Sequence, residues 1–160
     1  MEMPYKLEVL WCRTFQSVLK IGNYFMGYRM PKYLEGPGKI KELGAFLKEK
    51  GINDVLVVTG SGMVRRGQVQ PMLDGFEENG IRYTLQTYST TDPTSDDVEL
   101  GYKTYKENGC KSIVALGGGS RIDCAKGIAA KAVHPKKTVA QLQGLLKVHW
   151  PIPPFVAIPT

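Results

Sequence analysis

The sequence predicts an α/β fold with a doubly wound, mostly parallel sheet that is preceded by an N-terminal helix. Three apolar runs, at residues 54–59, 113–116 and 155–158, are continuous rather than alternating. Such runs are typical of parallel strands that are covered on both faces. Amphipathic segments of about a dozen residues separate the runs, as crossover helices do. With 160 residues, 42% of them apolar and 22% charged, the chain is long enough for one sizeable core.

The first part of the chain predicts a helix, a short strand and a second helix. Apolar residues at steps of three and four predict an amphipathic helix over residues 5–26, in which Trp11 and Phe15 are packing residues. Pro31–Glu35 predicts a short edge strand, since proline is tolerated at its entrance. Residues 39–50 carry a further apolar face, which predicts a second helix.

Strands and helices then alternate. The strand at 54–59 leads into Gly60, Ser61 and Gly62 at its carboxyl end, which is where open α/β sheets bind ligands. The further predicted elements are a helix around Met72–Phe76, a strand over 81–88, a helix that Thr94 caps together with Asp97, a short helix within 138–146 and a strand over 155–158.

The chain is organised around residues 112–126, which predict a buried strand, a turn of three glycines and a helix that begins near Ser120. Glycines leave the backbone N–H groups bare, and the helix adds unpaired donors and the positive end of its dipole. These features predict a seat for a phosphate or pyrophosphate. The alternative is an ordinary strand-to-helix turn, in which Ser120 caps the helix and Asp123 completes a capping box.

Composition excludes several other classes of function. The net charge of +6 is scattered, without the basic runs and interleaved aromatic residues of a nucleic-acid surface. No apolar run reaches the length of a membrane span. The three cysteines form no CxxC pair and are expected to be reduced thiols of a cytoplasmic protein. His134 and His149 lack the spacing of metal ligands.

Three motifs resemble the iron-containing (group III) alcohol dehydrogenases. The segment from Gly117 to Lys126 matches the signature GGGSxxDxAK of that family. Asp92-Pro-Thr94 stands where the family usually has Asn-Pro-Thr, and the chain ends in Pro153-Pro-Phe-Val-Ala-Ile-Pro-Thr160. The resemblance covers residues 31–160 and implies a Rossmann-like dinucleotide-binding α/β domain there. Residues 1–30 are then an N-terminal helical extension.

The resemblance implies a cofactor, NAD or NADP, held by this domain. In the family a separate C-terminal helical domain binds a divalent metal, Fe²⁺ or Zn²⁺, through one Asp and three His. The present chain stops at Thr160, inside a longer family motif, so we expect an isolated domain or a truncated chain without that metal-binding half. No catalytic or metal-binding residue is therefore expected here, and catalysis by this chain alone is not expected.

The candidate cofactor-binding residues follow from the motifs. The resemblance places the pyrophosphate on the glycine turn, Asp123 beside the nicotinamide half and Thr160 beside the adenine. Asp92 and Thr94, with Thr91, face the same crevice, although turn and cap chemistry also explains them. Lys126 is expected to form an i,i+3 ion pair with Asp123 rather than a cofactor contact. The full set is Gly60, Ser61, Gly62, Asp92, Thr94, Gly117, Gly118, Gly119, Ser120, Asp123 and Thr160.

Gly60 departs from the family pattern. Many members have Asp at this position, where it accepts hydrogen bonds from the adenosine ribose and repels the 2′-phosphate of NADP. Gly60 removes that charge, and Arg65 or Arg66 could add a positive one. The sequence therefore predicts tolerance of NADP or a preference for it. The alternative is a degraded site that binds either dinucleotide weakly.

The resemblance implies hydride transfer between a nicotinamide cofactor and a small alcohol or aldehyde. A glycerol or polyol dehydrogenase and a dehydroquinate-synthase-like enzyme remain alternatives, because they share the glycine turn. A non-catalytic dinucleotide-binding fragment is a third hypothesis. The N-terminal amphipathic helix could serve a contact in a homo-oligomer, whereas nucleic acid and membrane are not expected partners.

Overall fold

A computed structural model describes residues 5–25, 31–89, 92–144 and 146–160 of the chain. It divides the chain into two units, Met1–Glu35 and Gly36–Thr160. The helical extension and the α/β domain are therefore described separately. Of the predicted site residues, Thr91 lies outside the described ranges.

In the first unit, helix α1 spans Tyr5–Phe25, which matches the helix predicted over residues 5–26. Trp11 and Phe15, which the sequence suggested as packing residues, are 66% and 48% exposed. Periodicity identifies an apolar stripe but not the surface that covers it. The edge strand predicted at Pro31–Glu35 is wrong, because these residues form no strand. A proline at the entrance permits an edge strand, but a strand also needs a neighbour to pair with.

Four parallel strands form the sheet of the second unit, in the order β2-β1-β3-β4. The strands are β1 over Asp54–Gly60, β2 over Arg82–Tyr88, β3 over Ser112–Leu116 and β4 over Phe155–Ile158. The register pairs Val57 with Leu85 on one side and with Val114 on the other. The predicted parallel sheet is confirmed, and its strands begin and end close to the predicted residues.

Five helices accompany the strands in the described part of this unit. They are α2 over Leu43–Glu49, which follows a 3₁₀ turn at Lys39–Glu42, α3 over Ser61–Arg65, α4 over Gln70–Glu78, α5 over Ser95–Glu107 and α6 over Gly119–Val133. The short helix expected within 138–146 is only a 3₁₀ turn at Ala140–Leu142. A 3₁₀ turn closes with poorer hydrogen bonds than an α-helix and rarely grows beyond this length.

The helices cover both faces of the sheet, so the doubly wound prediction is confirmed. On one face, Val55 and Val57 of β1 pack with Met72 and Phe76 of α4. On the other face, Leu56 and Val58 pack with helices α5 and α6. Because side chains alternate along a strand, a strand that is buried on both faces must be apolar throughout.

Helices α2 and α4 approach each other through glycine. A Cβ built on Gly44 would meet the carbonyl of Gly75, and a Cβ built on Gly75 would meet the carbonyl of Lys41. These obstacles are backbone atoms, which cannot rotate away. The close approach lets Leu47 and Phe76 share one cluster against the sheet.

His134 follows the last residue of α6 and lies against His149, with ring centroids 4.8 Å apart. Its Nε2 atom is buried and has no hydrogen-bond partner among the described residues. Burial lowers the pKa of His134, and the neighbouring Lys137 and His149 lower it further. The imidazole is therefore neutral in the fold at pH 7.

We expect Gly44→Ala to destabilise the protein by about 1–3 kcal/mol, because the added methyl overpacks a backbone contact. This loss outweighs the gain in helix propensity, which is about 1 kcal/mol. Urea unfolding measures the change. Ala45→Gly, at an exposed position of the same helix, is the control and should cost only about 1 kcal/mol. Equal or higher stability of Gly44→Ala would contradict the close approach.

We expect His134 to make the fold sensitive to acid. Its pKa in the folded state lies below the unfolded value of about 6.5, so the unfolded chain binds the proton more readily. The contribution is therefore present above about pH 6.5 and is lost as the pH falls toward the folded pKa. Thermal midpoints at about pH 7.5 and about pH 5.5 should differ less in His134→Gln than in the unchanged protein. His149→Gln should retain more of the difference, and an unaltered difference in His134→Gln would refute the assignment.

Candidate functional site

The strand order places a topological switch point between β1 and β3. The chain passes from β1 to β2 on one side and then returns to β3 on the other side. Open α/β sheets bind ligands at the carboxyl ends of their strands at such a point. Gly60 ends β1, and Gly117 directly follows β3, whose last residue Leu116 pairs with Thr59. The two glycine-containing turns therefore lie beside each other.

Gly117 is a glycine that the fold itself requires. Its φ is +145°, a conformation that L side chains rarely adopt. A Cβ at this position would also lie 2.9 Å from Cγ of Arg121. The Gly117 N–H donates to the carbonyl of Ile158 at 3.0 Å. Gly117 thus ends β3, joins it to the end of β4 and turns the chain into α6.

Gly118 and Gly119 are glycines that the fold does not require. Gly118 is the N-cap of α6 with φ −69° and ψ 179°, which any residue can adopt, and Gly119 is the first helical residue. Both are exposed, and a Cβ at either position meets no atom within 4 Å. The N–H groups of the first helical turn have no intrahelical acceptor. Bare backbone, open space and free donors at a helix N-terminus together fit a phosphate.

The alternative capping arrangement at this turn is wrong. Helix α6 begins at Gly119 rather than at Ser120, and no side chain caps it. Ser120 is already the second helical residue, so its hydroxyl is in the wrong place for an N-cap. Asp123 instead accepts from Lys126 Nζ at 3.2 Å, as the sequence predicted. Both of these side chains are largely exposed.

The capping box predicted for α5 is confirmed. Asp97 N–H donates to Oγ1 of Thr94 at 3.2 Å, and Thr94 N–H donates to Oδ2 of Asp97 at 2.8 Å. The hydroxyl of Thr94 is therefore engaged in starting the helix. Asp92, two residues earlier, is exposed. Both residues follow β2, so they lie at the same edge of the sheet as the glycine turns.

Two guanidinium groups lie beside the turn that follows β1. A Cβ built on Gly60 would lie 3.4 Å from Nε of Arg121. A Cβ built on Gly62 would lie 3.1 Å from Nη1 of Arg66, whose Nε donates to Gln68. The sequence suggested Arg66 but missed Arg121, which comes from another strand–helix unit. The one feature of the sequence that could have identified Arg121 is its position four residues after Gly117, in the first turn of the helix.

Tyr88 and Cys124 are buried next to this arginine. The Tyr88 hydroxyl donates to the carbonyl of Asp97 at 2.8 Å. Burial raises the pKa of both Tyr88 and Cys124, and the positive charge of Arg121 opposes that shift. The Cys124 thiol is buried inside the domain, where burial favours its protonated form and it contributes packing.

All the described candidate residues follow the carboxyl ends of the strands and therefore lie on the same side of the sheet. Gly60, Ser61 and Gly62 follow β1, and Thr160 stands exposed two residues after β4. The remaining candidates follow β2 and β3. His134 and His149 lie instead on the side of the amino ends of the strands. Helix α6 runs back to that side from the glycine turn, and His149 precedes β4.

Across the described ranges, no three His, Cys, Asp or Glu side chains are grouped so that they could hold a metal ion. In those ranges, no helix has the length and apolar character needed to cross a membrane. One cavity of about 220 Å³, lined by Asp54, Arg82 and Cys110, lies at the amino ends of β1 and β2. Another, of about 660 Å³, follows the outer side of α5. Neither cavity is lined by the glycine-containing turns at the carboxyl ends of β1 and β3.

Comparison with known proteins agrees with this geometry. The family model described as iron-containing alcohol dehydrogenase matches residues 31–160. The chain is 35% identical over 127 residues to alcohol dehydrogenase 4 of Schizosaccharomyces pombe, which covers 79% of this chain and 30% of that protein. It is 31% identical over 138 residues to the NAD-dependent methanol dehydrogenase of Bacillus methanolicus. That match covers 86% of this chain and 35% of that protein.

A crystal structure of a 1,3-propanediol oxidoreductase superposes with a TM-score of 0.69 at 30% identity. The superposition covers 82% of this chain and 36% of that protein. The chain thus spans about a third of the length of the curated relatives it matches. Helix α1 lies outside the residues that the family model matches.

The two kinds of glycine should respond differently to alanine. We expect Gly117→Ala to lower the free energy of unfolding by about 1–3 kcal/mol, because φ +145° is strained for any side chain. Gly119→Ala should leave stability unchanged or raise it by up to about 1 kcal/mol, because a helical residue gains propensity there. Urea unfolding of the two variants measures both effects. A large loss in Gly119→Ala would mean that the fold requires that glycine after all.

Proposed function

Because the chain belongs to the iron-containing alcohol dehydrogenase family, we propose that residues 31–160 form the dinucleotide-binding domain of a metal-dependent dehydrogenase. The complete protein then transfers hydride between a nicotinamide cofactor and a small alcohol or aldehyde. The observation that carries the proposal is the pair Gly118 and Gly119 at the start of α6. Both lack a side chain where the fold would accept one, and the space beside them is open.

The pyrophosphate is proposed to bind at the N-terminus of α6. The N–H groups of Gly118, Gly119 and Ser120 are its donors, together with the Ser120 hydroxyl. Gly117 contributes conformation and space rather than a hydrogen bond, since its own N–H donates to Ile158. The positive end of the helix dipole adds to the attraction.

The remaining candidates are proposed to surround the rest of the cofactor. Asp123 lies one turn into α6 and is assigned to the nicotinamide half, and Thr160 after β4 is assigned to the adenine. Asp92 and Thr94 are secondary candidates, because the Thr94 hydroxyl already caps α5. Their position at the carboxyl edge of the sheet supports each assignment.

When bound, the nicotinamide supplies a hydride donor or acceptor, and Fe²⁺ or Zn²⁺ supplies polarisation of the alcohol or carbonyl oxygen. We assign the metal to a C-terminal helical domain of the complete protein. The share of the present residues is to bind and orient the dinucleotide. No step of the proposed hydride transfer is assigned to these residues themselves.

The cofactor is proposed to be NAD or NADP. One relative is named as NAD-dependent, which supports NAD. Gly60 presents no carboxylate at the end of β1, which supports acceptance of NADP as well. The alternative that the site is degraded predicts weak binding of both forms.

The substrate class follows the family. The match to an alcohol dehydrogenase model favours small alcohols and aldehydes over the reactions of dehydroquinate-synthase-like enzymes. We also propose a cytoplasmic location, which the free thiols of Cys12, Cys110 and Cys124 support. The exposed apolar side of α1, with Leu10 and Val18, supports a contact between copies of the chain.

Calorimetric titration with NAD⁺ and NADP⁺ tests the proposal. We expect at least one of the two to bind, and Gly119→Leu to weaken it by about tenfold or more, since loss of about 1.4 kcal/mol is sufficient. Gly22→Leu is the matched control, because Gly22 is also an exposed helical glycine with no atom near a built Cβ. It should bind as the unchanged protein does.

The outcomes separate the hypotheses. Binding without turnover of alcohols, with or without added Fe²⁺ or Zn²⁺, supports a dinucleotide-binding domain that needs the rest of the enzyme. Turnover by this chain alone would refute the assignment of the metal to another domain. Failure of both dinucleotides to bind would overturn the proposed function.

A further inference from the structure

Tyr88 is the last residue of β2, and it contacts the ends of two other elements. In the parallel ladder it is the partner of Gly60, which ends β1. Its side chain is 4% exposed and packs in the cluster between the sheet and helices α5 and α6. Its hydroxyl donates to the carbonyl of Asp97, in the first turn of α5, at 2.8 Å. One residue therefore joins the end of β1 to the start of α5.

A glycine inside α5 makes room for this hydroxyl. A Cβ built on Gly101 would lie 2.5 Å from the hydroxyl oxygen of Tyr88, and it would also meet Ile128 of α6. Gly101 stands one helical turn after Asp97, so the hydroxyl reaches the Asp97 carbonyl past the place of the missing side chain. Glycine in a helix is less favourable than alanine, and the close approach of Tyr88 and Ile128 explains its presence here.

Helix α6 packs against the same tyrosine. Cys124, in the second turn of α6, is buried in the same cluster as Tyr88. The phenol and the thiol lie close enough for each to influence the pKa of the other. Burial raises the pKa of Tyr88, so its hydroxyl stays protonated and remains a hydrogen-bond donor at neutral pH.

The segments that Tyr88 holds together carry the candidate cofactor-binding residues. Gly60 ends β1, Thr94 caps α5, and Gly118 and Gly119 begin α6. A ligand that spans such segments binds more tightly when their separation is fixed beforehand, because ordering them on binding costs free energy. The conformation of the glycine turn itself depends on Gly117 instead.

We propose that Tyr88 is a positioning residue, whose hydroxyl fixes the separation between the glycine turn at the start of α6 and the ends of β1 and β2. This inference rests on the proposed function, because the dinucleotide is the ligand that spans these segments. Tyr88 is buried beneath them and is assigned no contact with the cofactor. Its effect is therefore confined to ligands that reach beyond the glycine turn.

The test measures dissociation constants for two ligands in Tyr88→Phe, which removes the hydroxyl and retains the ring. One ligand is whichever of NAD⁺ and NADP⁺ binds the unchanged protein more tightly, and the other is inorganic pyrophosphate, which occupies the glycine turn alone. We expect the dinucleotide to bind about threefold to tenfold more weakly, as for loss of one buried hydrogen bond. Pyrophosphate should change by less than about twofold, because the amides that bind it are unaltered.

Tyr83→Phe is the matched control. Tyr83 lies near the amino end of the same strand, and its hydroxyl donates to Oε1 of Glu77 at 3.1 Å. The variant thus loses a comparable hydrogen bond at the other end of β2, and both dissociation constants should be unchanged. Thermal melts verify that each variant is folded at the temperature of the titrations.

Gly101→Ala tests the same contact from the side of α5. Its methyl group takes the space of the Tyr88 hydroxyl, so it should also weaken the dinucleotide more than pyrophosphate. In the double variant of Tyr88→Phe and Gly101→Ala, the factor for the dinucleotide should be smaller than the product of the two single factors, because both changes remove one contact. Either single variant supplies the decisive ratio if the other is unstable.

The outcomes distinguish the two proposals. If a dinucleotide binds and the ratio of its dissociation constant to that of pyrophosphate stays the same in Tyr88→Phe and Gly101→Ala, the positioning role is refuted and the proposed function stands. Equal weakening of both ligands is such a result, since it means that the hydroxyl supports the glycine turn itself. If neither dinucleotide binds to the unchanged protein, the proposed function fails and the positioning role fails with it.

Discussion

The conformation of Gly117 is the constraint on which the candidate site depends. Its φ of +145° is one that L side chains rarely adopt, and its N–H donates a hydrogen bond to the carbonyl of Ile158 on β4. One residue therefore ends the central strand, connects the ends of two strands and directs the axis of α6 at the switch point. With a side chain in its place, the first turn of α6 would have to move, because Arg121 occupies the adjacent space. The candidate phosphate seat depends on this tight turn.

Some glycines of this chain are required by the fold, whereas others lie where the fold would accept a side chain. Gly44 and Gly75 allow backbone to touch backbone between two helices, and Gly101 lies against Ile128 between α5 and α6. Gly118 and Gly119 do neither, since their surroundings are open and their conformations are ordinary. Glycine costs conformational entropy wherever it occurs. Openness alone does not mark a site, since Gly22 in α1 is equally open; Gly118 and Gly119 are candidates because they start α6 at the switch point.

The sequence predicted the sheet well because parallel strands buried on both faces are apolar throughout, which is a local pattern. It also predicted the cap of α5, since Thr94 and Asp97 are three residues apart. It placed the start of α6 one residue late, because three consecutive glycines leave the exact N-cap open. The edge strand at 31–35 was wrong, since strand pairing depends on a neighbour that local pattern does not reveal.

Contacts between distant segments were beyond the sequence. Arg121 reaches the end of β1 from α6, and His134 lies against His149, which is fifteen residues further along the chain. Both contacts depend on how the crossover connections return the chain to the sheet. Periodicity and capping rules describe only residues within a few positions of one another.

The glycine turn after β3 and the end of β1 have different roles in the proposed choice of cofactor. In the proposed function, the backbone amides of the glycine turn bind the diphosphate that NAD and NADP share, so they contribute equally to the binding of both. Equal contributions cannot discriminate, because specificity is a difference between two affinities. Discrimination must therefore arise where the two cofactors differ, at the adenosine ribose. At the end of β1 the chain presents Gly60, which carries no carboxylate and lies next to the guanidinium group of Arg121. In that proposal, the choice between NAD and NADP is made by the residues at the end of the neighbouring strand β1.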